Sequence, residues 1–476
     1  MISALVAAAP LLLLTRIHAG EKNKASLPNL ALFPDASGLV QTYNTGGDID
    51  LNGPFFQSLG TNGRSCVTCH QPMNAMSVSA ASVQLRFDLS LGTDPIFRTV
   101  DGSNCDHNID VSTFAGRAAA YSLLRTRGLL RIALNPPLDR DFQIVSISNP
   151  YGCNATDVVS MYRRPLPATN LRFLTTVMFD GRESSSQTGT TPIASGNYPQ
   201  SLQDDLAHQA LDATFGHAQG MEPGLSAAQQ QQIMSFEMSL YSAQAIGFFV
   251  GNLDSHDANG GPKPLAQQPF YIGINDPVGL DPNNPVPLKF NTKIFDLFDN
   301  WTNSKDPEKR AVARGEELFN TRKFTITGVA GLNGTTFSNG VTGPASIVST
   351  CGICHDTPNV GNHSVSAPLN IGVSDPPGGQ NVLDTRYLPV MKICQLPSQM
   401  TCVETTDPGR AMISGKFADI GKFKGPILRG LAARAPYFHN GSARTLRDVV
   451  DFYDSRFHIG FSDREKSDLA AFLAAL

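Results

Sequence analysis

The sequence is poor in charge. Asp, Glu, Lys and Arg supply 16% of its 476 residues, the net charge is -4, and no run of five or six Lys or Arg occurs. The basic surface that a nucleic acid or an anionic membrane would need is therefore missing. Long apolar runs are equally scarce. Residues 2–14 (ISALVAAAPLLLL) are too short to span a bilayer and are followed by Arg16 and the small pair Ala19-Gly20. That is the shape of a secretory signal over residues 1–20, or of an anchor if uncleaved, although basic residues before the run are lacking. No other stretch approaches eighteen apolar residues, so the mature chain is expected outside the cytoplasm and without a membrane span. Histidine is scarce too, at 10 residues, so each can be weighed by position.

What is present is a folded globular chain, 41% apolar, with Gly 42 and Pro 32 pointing to long loops. Its length suits two or three domains. Of the eight cysteines, Cys66, Cys69, Cys351 and Cys354 fall in two Cys-x-x-Cys-His motifs that end at His70 and His355. The other four are expected to form disulfides within each half, Cys105 with Cys153 and Cys394 with Cys402, or else to stay as free buried thiols. Composition alone predicts roughly 0.003 such five-residue matches in a chain like this. The spacing sets two thiols to meet the two vinyl groups of a haem and brings an imidazole to the iron, so two covalently attached haems c are expected. A redox dithiol needs no His, and a zinc site would want two further ligands.

Helical patterns run over residues 111–135, Ser201–Phe215, Ser226–Ala243 with Ser226 as N-cap, Asp306–Phe319 and Ser462–Leu476. The expected architecture is mainly α: two cytochrome c-like haem domains with long irregular loops. Residues 21–250 form the first, 251–300 a Pro/Gly/Asn-rich linker, and 301–476 the second.

From Lys422 to Tyr453 the chain reads KFKGPILRGLAARAPYFHNGSARTLRDVVDFY. With Phe179-Asp180-Gly181-Arg182, the Leu-x-x-Gln-Ala element at Leu206–Ala210 and Phe236-Glu237-x-x-Leu240, it resembles the bacterial diheme cytochrome c peroxidases and their MauG-type relatives. Residues 71–170, 183–200 and 323–350 are insertions. The resemblance implies a periplasmic enzyme with a catalytic N-terminal haem on His70 and an electron-transfer C-terminal haem on His355. It further implies hydrogen peroxide or dioxygen as reactant and a small cytochrome or cupredoxin as electron donor. A calcium ion occurs in the family, and no acidic cluster marks one in the sequence.

The family's distal ligand to the second iron falls in register on Tyr453, with His458 and Met412 as alternatives. Arg434 and His439, with Arg429, Arg444 and His363, are expected near the second haem, where propionates need cationic donors. A Trp that stands between the haems in the family is Phe179 here, and Trp301 lies elsewhere. For the first haem the family's catalytic stretch falls at His217, Gln219 and Glu222. His217 suits a distal base, Gln219 an orienting partner and Glu222 a fallback acid. His107 and His208 are weaker candidates. Three functions stay open: a peroxidase, a MauG-like or oxygenase-like oxidation of an organic or protein substrate, and a non-enzymatic electron carrier.

Overall fold

The computed structural model describes residues 25–184, 198–277, 290–337, 340–378, 382–398 and 400–476. The signal segment lies outside these. The chain is mixed rather than mainly α, with about 30% of residues helical and 17% in strands. The difference arises where apolar, helix-prone sequence is captured by a partner strand. In 111–135 the helix breaks into Phe114–Ala120 and Ser122–Arg127 and stops at Gly128, whose φ of 62° is left-handed. Leu130–Leu134 then pairs antiparallel with Val159–Arg163. Likewise Ser226 caps a helix that ends at Met238, not Ala243, and Leu240–Gly247 joins Gly38–Asn44 as a strand.

The other helices lie close to expectation, at Gln200–Gly216, Pro307–Thr321 with Asp306 as N-cap, and Asp463–Ala474 with a Ser462/Glu465 capping box. The last two pack together over Phe295, Phe298, Phe319 and Phe472, and Trp301 is buried in that same core. A three-stranded sheet crosses the sequence halves: Phe142–Ser148 pairs with Val390–Gln395, which pairs with Cys402–Thr405. Both disulfides form as expected, Cys105–Cys153 and Cys394–Cys402. Among the described residues no helix is long and apolar enough to cross a membrane.

Candidate functional site

Each Cys-x-x-Cys-His motif is one 3-10 turn, Cys66–Thr68 and Cys351–Ile353, so both thiols and the following imidazole face one cavity. His70 Nδ1 lies 3.1 Å from the Met76 carbonyl and His355 Nδ1 lies 2.7 Å from that of Gly361. A ring that donates from Nδ1 keeps its lone pair on Nε2, the tautomer a metal ligand requires. Burial pushes both imidazoles down to about 4, so they are neutral. Burial pushes the thiols of Cys66, Cys351 and Cys354 up to about 12. None of the four motif cysteines is in a disulfide. Walls rich in Leu, Ile, Val and Phe, unpaired thiols and a pre-set imidazole are a donor set that fits a haem in each cavity.

The first cavity is lined by His217, at the C-terminal end of helix Gln200–Gly216. Its Nδ1 lies 2.5 Å from Asp101 Oδ2, and Asp101 Oδ1 is 2.5 Å from Arg64 Nη1. Burial opposes the charge on Asp101, and the bonds to His217 and Arg64 prevail, holding the carboxyl below its ordinary range. Gln219 and Glu222 are exposed and do not line the cavity. Glu237 does line it. It is a buried carboxyl pushed up to about 8 by burial, so it is largely protonated at neutral pH. His107 sits exposed against Asp106, and His208 pairs with Glu183; neither reaches the cavity.

The second cavity is lined by Tyr453, from helix Leu446–Phe457, with His363 and His439. Burial and the neighbouring motif thiols raise the Tyr453 phenol. His458 is the exposed cap of that helix, and Met412 is buried in the core of the three-stranded sheet; neither lines the cavity. His439 stacks on Phe423 at 3.9 Å between centroids. Arg434 reaches the cavity wall while donating to the carbonyls of Ile427, Arg429 and Gly430, which fixes its own loop. Arg429 binds the carbonyls of Leu476, Asn359 and Gly261 and, like Arg444, is not on the wall. Lys424 is a buried wall residue whose ammonium burial lowers to about 8.

Four residues belong to both walls, Arg164, Pro165, Leu166 and Phe179. Phe179 lies in the partition, 6.0 Å from the His439 ring. Arg164 donates to the carbonyls of Val78 (2.6 Å) and Arg127 (2.7 Å) on one side and Arg434 (2.8 Å) on the other. Burial and the nearby Arg434 lower it to about 9. Below the partition Arg163 bridges Asp180 (2.5 Å) and Asp407 (2.7 Å), and burial of Asp180 is outweighed by Arg163 and Arg182, which bring it to about 2. Asp101, Arg64, Glu237, Arg164 and Lys424 escaped the sequence reading. Apart from Lys424, within the signature, and Glu237, within a quoted element, they stand where no motif points.

Two thiol-and-imidazole cavities sharing one wall suit two haems, and the signature fits the diheme cytochrome c peroxidase/MauG-type family. The named relatives agree. The chain is 36% identical over 136 residues to cytochrome-c peroxidase IdrP2 of Denitromonas iodatirespirans, covering 26% of this chain and 35% of that protein. It is 40% identical over 81 residues to cytochrome-c peroxidase IdrP1 of Pseudomonas sp. (strain SCT), 15% of this chain and 21% of that one. With cytochrome c551 peroxidase of Nitrosomonas europaea it shares 38% over 76 residues, 15% and 23% of the two chains. The matches thus span about a third or less of these relatives. No family model matches. Among solved structures, a MauG-like protein associated with microbial copper homeostasis overlays 89% of this chain and 85% of its own, at 16% identity and a TM-score of 0.37. A tyrosine-to-methionine variant of the diheme peroxidase BthA from Burkholderia thailandensis overlays 94% and 95%, at 14% and 0.30.

Proposed function

We propose that the chain is a periplasmic diheme c-type oxidoreductase that reduces hydrogen peroxide in the first cavity with electrons passed through the second. Cys66, Cys69 and His70 would hold one haem, and Cys351, Cys354, His355 and Tyr453 would hold the other. When bound, the haems supply the redox centres and, in the first cavity, a position open to a small oxidant. The protein's part is proton management. Hydrogen peroxide takes up two electrons and two protons and leaves as two waters. His217 would accept a proton from peroxide in the cavity and return it to the departing oxygen, while Asp101 fixes the ring through Nδ1. The observation that carries this reading is His217, held by Asp101, on the wall that faces Cys66, Cys69 and His70.

A reduced small cytochrome c or cupredoxin mixed with the protein should be oxidised only when peroxide is added. The ferric protein should show one high-spin haem by electron paramagnetic resonance. Two low-spin haems without turnover would identify a carrier instead. Tyr453 in the second cavity favours the MauG-like alternative, because a phenolate donor lowers a haem's potential relative to Met. Peroxide consumed with an organic or protein reductant, but not with a cytochrome, would select that reading.

A further inference from the structure

Behind the second motif, Asp276, Asp356 and His363 bring two carboxylates and one imidazole together with their ligand atoms all within 4.8 Å. Asp276 is 3% exposed, Asp356 is fully buried, and the His363 side chain is 7% exposed. We propose that this group binds a divalent first-row cation of the zinc class, at a site separate from either haem iron.

The three side chains converge closely. The His363 Nδ1 lies 3.2 Å from Asp356 Oδ2, and Asp276 faces the same buried carboxyl.

Unsatisfied oxygens point the same way. Asp356 Oδ2 and Thr357 Oγ1 are both in fully buried residues and find no hydrogen-bond partner. The Ser364 amide already donates to Asp356 Oδ1 at 2.6 Å, and the Ser364 side chain stands beside the same carboxyl. A bound cation would give Asp356 Oδ2 the partner it lacks. Two carboxylates and an imidazole suit zinc or a similar ion, which accepts His nitrogen and Asp oxygen at about 2.0–2.2 Å. Calcium would ask for an all-oxygen set.

The position gives the ion a task. Asp356 follows His355 directly, His363 is part of the second cavity wall, and Asp276 belongs to a separate segment of chain. The cation would tie that segment to the turn carrying the motif and hold the His363 ring. It would do so whether or not the protein reduces peroxide.

Elemental analysis of the purified, haem-loaded protein tests this, with non-haem metal taken as total metal less the iron in pyridine haemochrome. After chelator treatment the same protein is titrated with zinc ion alone by calorimetry. The expected result is about one non-haem divalent ion per chain, as isolated or regained from zinc. Asp276→Asn and His363→Gln should each weaken it at least about tenfold with circular dichroism unchanged. Less than about 0.1 equivalent both before and after zinc addition would overturn the proposal. Equal zinc binding by the folded variants would overturn it as well. The wild-type stoichiometry decides if neither variant folds.

Discussion

Replacing Asp101 by Asn changes one atom and reverses one hydrogen bond. The wild-type carboxylate accepts from His217 Nδ1 through Oδ2 and from Arg64 Nη1 through Oδ1, both at 2.5 Å. Arg64 can only donate, so the Asn oxygen stays with Arg64 and its NH2 turns to His217. The imidazole must then accept at Nδ1, which moves its proton to Nε2 and removes the lone pair with which it would take a proton. His217 stays in place but no longer serves as a base. Positioned acid-base groups contribute about 10²–10⁴-fold, so the reaction with peroxide, followed by stopped-flow absorbance, should slow by that order while both haems and their potentials persist.

Stability should fall as well. Arg64 keeps a hydrogen bond but loses its counter-charge, and breaking a buried pair costs roughly 3–5 kcal/mol, an upper bound here that a domain with about 5–15 kcal/mol survives. The Asp101 carboxyl is lower in the folded chain than its ordinary 3.8. Its contribution is therefore complete above that value and disappears as pH falls through the lower folded one, so wild type and variant should converge in acid. Parent-rate peroxide reaction in a folded Asp101→Asn protein would refute the reasoning. A high-spin change of the first haem would make His217 a ligand instead.

Tyr453→Phe should alter the second haem's spectrum and raise its potential in a redox titration. Mass spectrometry of Cys354→Ser should show loss of one covalent haem with the first retained. Arg164→Met strips three buried carbonyls of their donor at roughly 1–3 kcal/mol each, so the denaturant midpoint should drop sharply with an unchanged slope. Glu316 is a buried carboxyl raised from 4.5 to about 7, chiefly by burial against the bonds from Phe298 and Leu297. The folded state holds that proton longer than the unfolded one, so wild-type stability should fall by about 3 kcal/mol as pH rises from 4.5 to 7. Melts of Glu316→Gln should lack that slope.

The motif turns were legible because haem attachment dictates residue type and spacing within five positions. Capped helices were legible because Ser226, Asp306 and Ser462 announce their starts. The strands were not. LRIAL at 130–134 and LYSAQAIG at 240–247 carry no strict alternation, and what makes them strands is a partner far along the chain, Val159–Arg163 or Gly38–Asn44. The same distance hid the partner of His217. The family register pointed to the stretch holding His217, Gln219 and Glu222, and only the fold shows that the ring alone reaches the cavity. Asp101 comes from an insertion for which the resemblance offered no guide. Asp276 and Asp356 stand too far apart in sequence to read as a cluster.

The sheet that joins the two sequence halves also sets an order in time. Phe142–Ser148 is an edge strand whose one hydrogen-bonding neighbour is Val390–Gln395. Synthesis proceeds at about 5–20 residues per second, so the roughly 240 residues between them take about 12–50 s to appear. For that interval Phe142, Ile144 and Ile147, which the finished fold buries, have no partner strand. The first cavity can therefore gather its motif early, but the wall built beside that strand must await the second half, and the nascent chain passes through a stage with an open, adhesive edge.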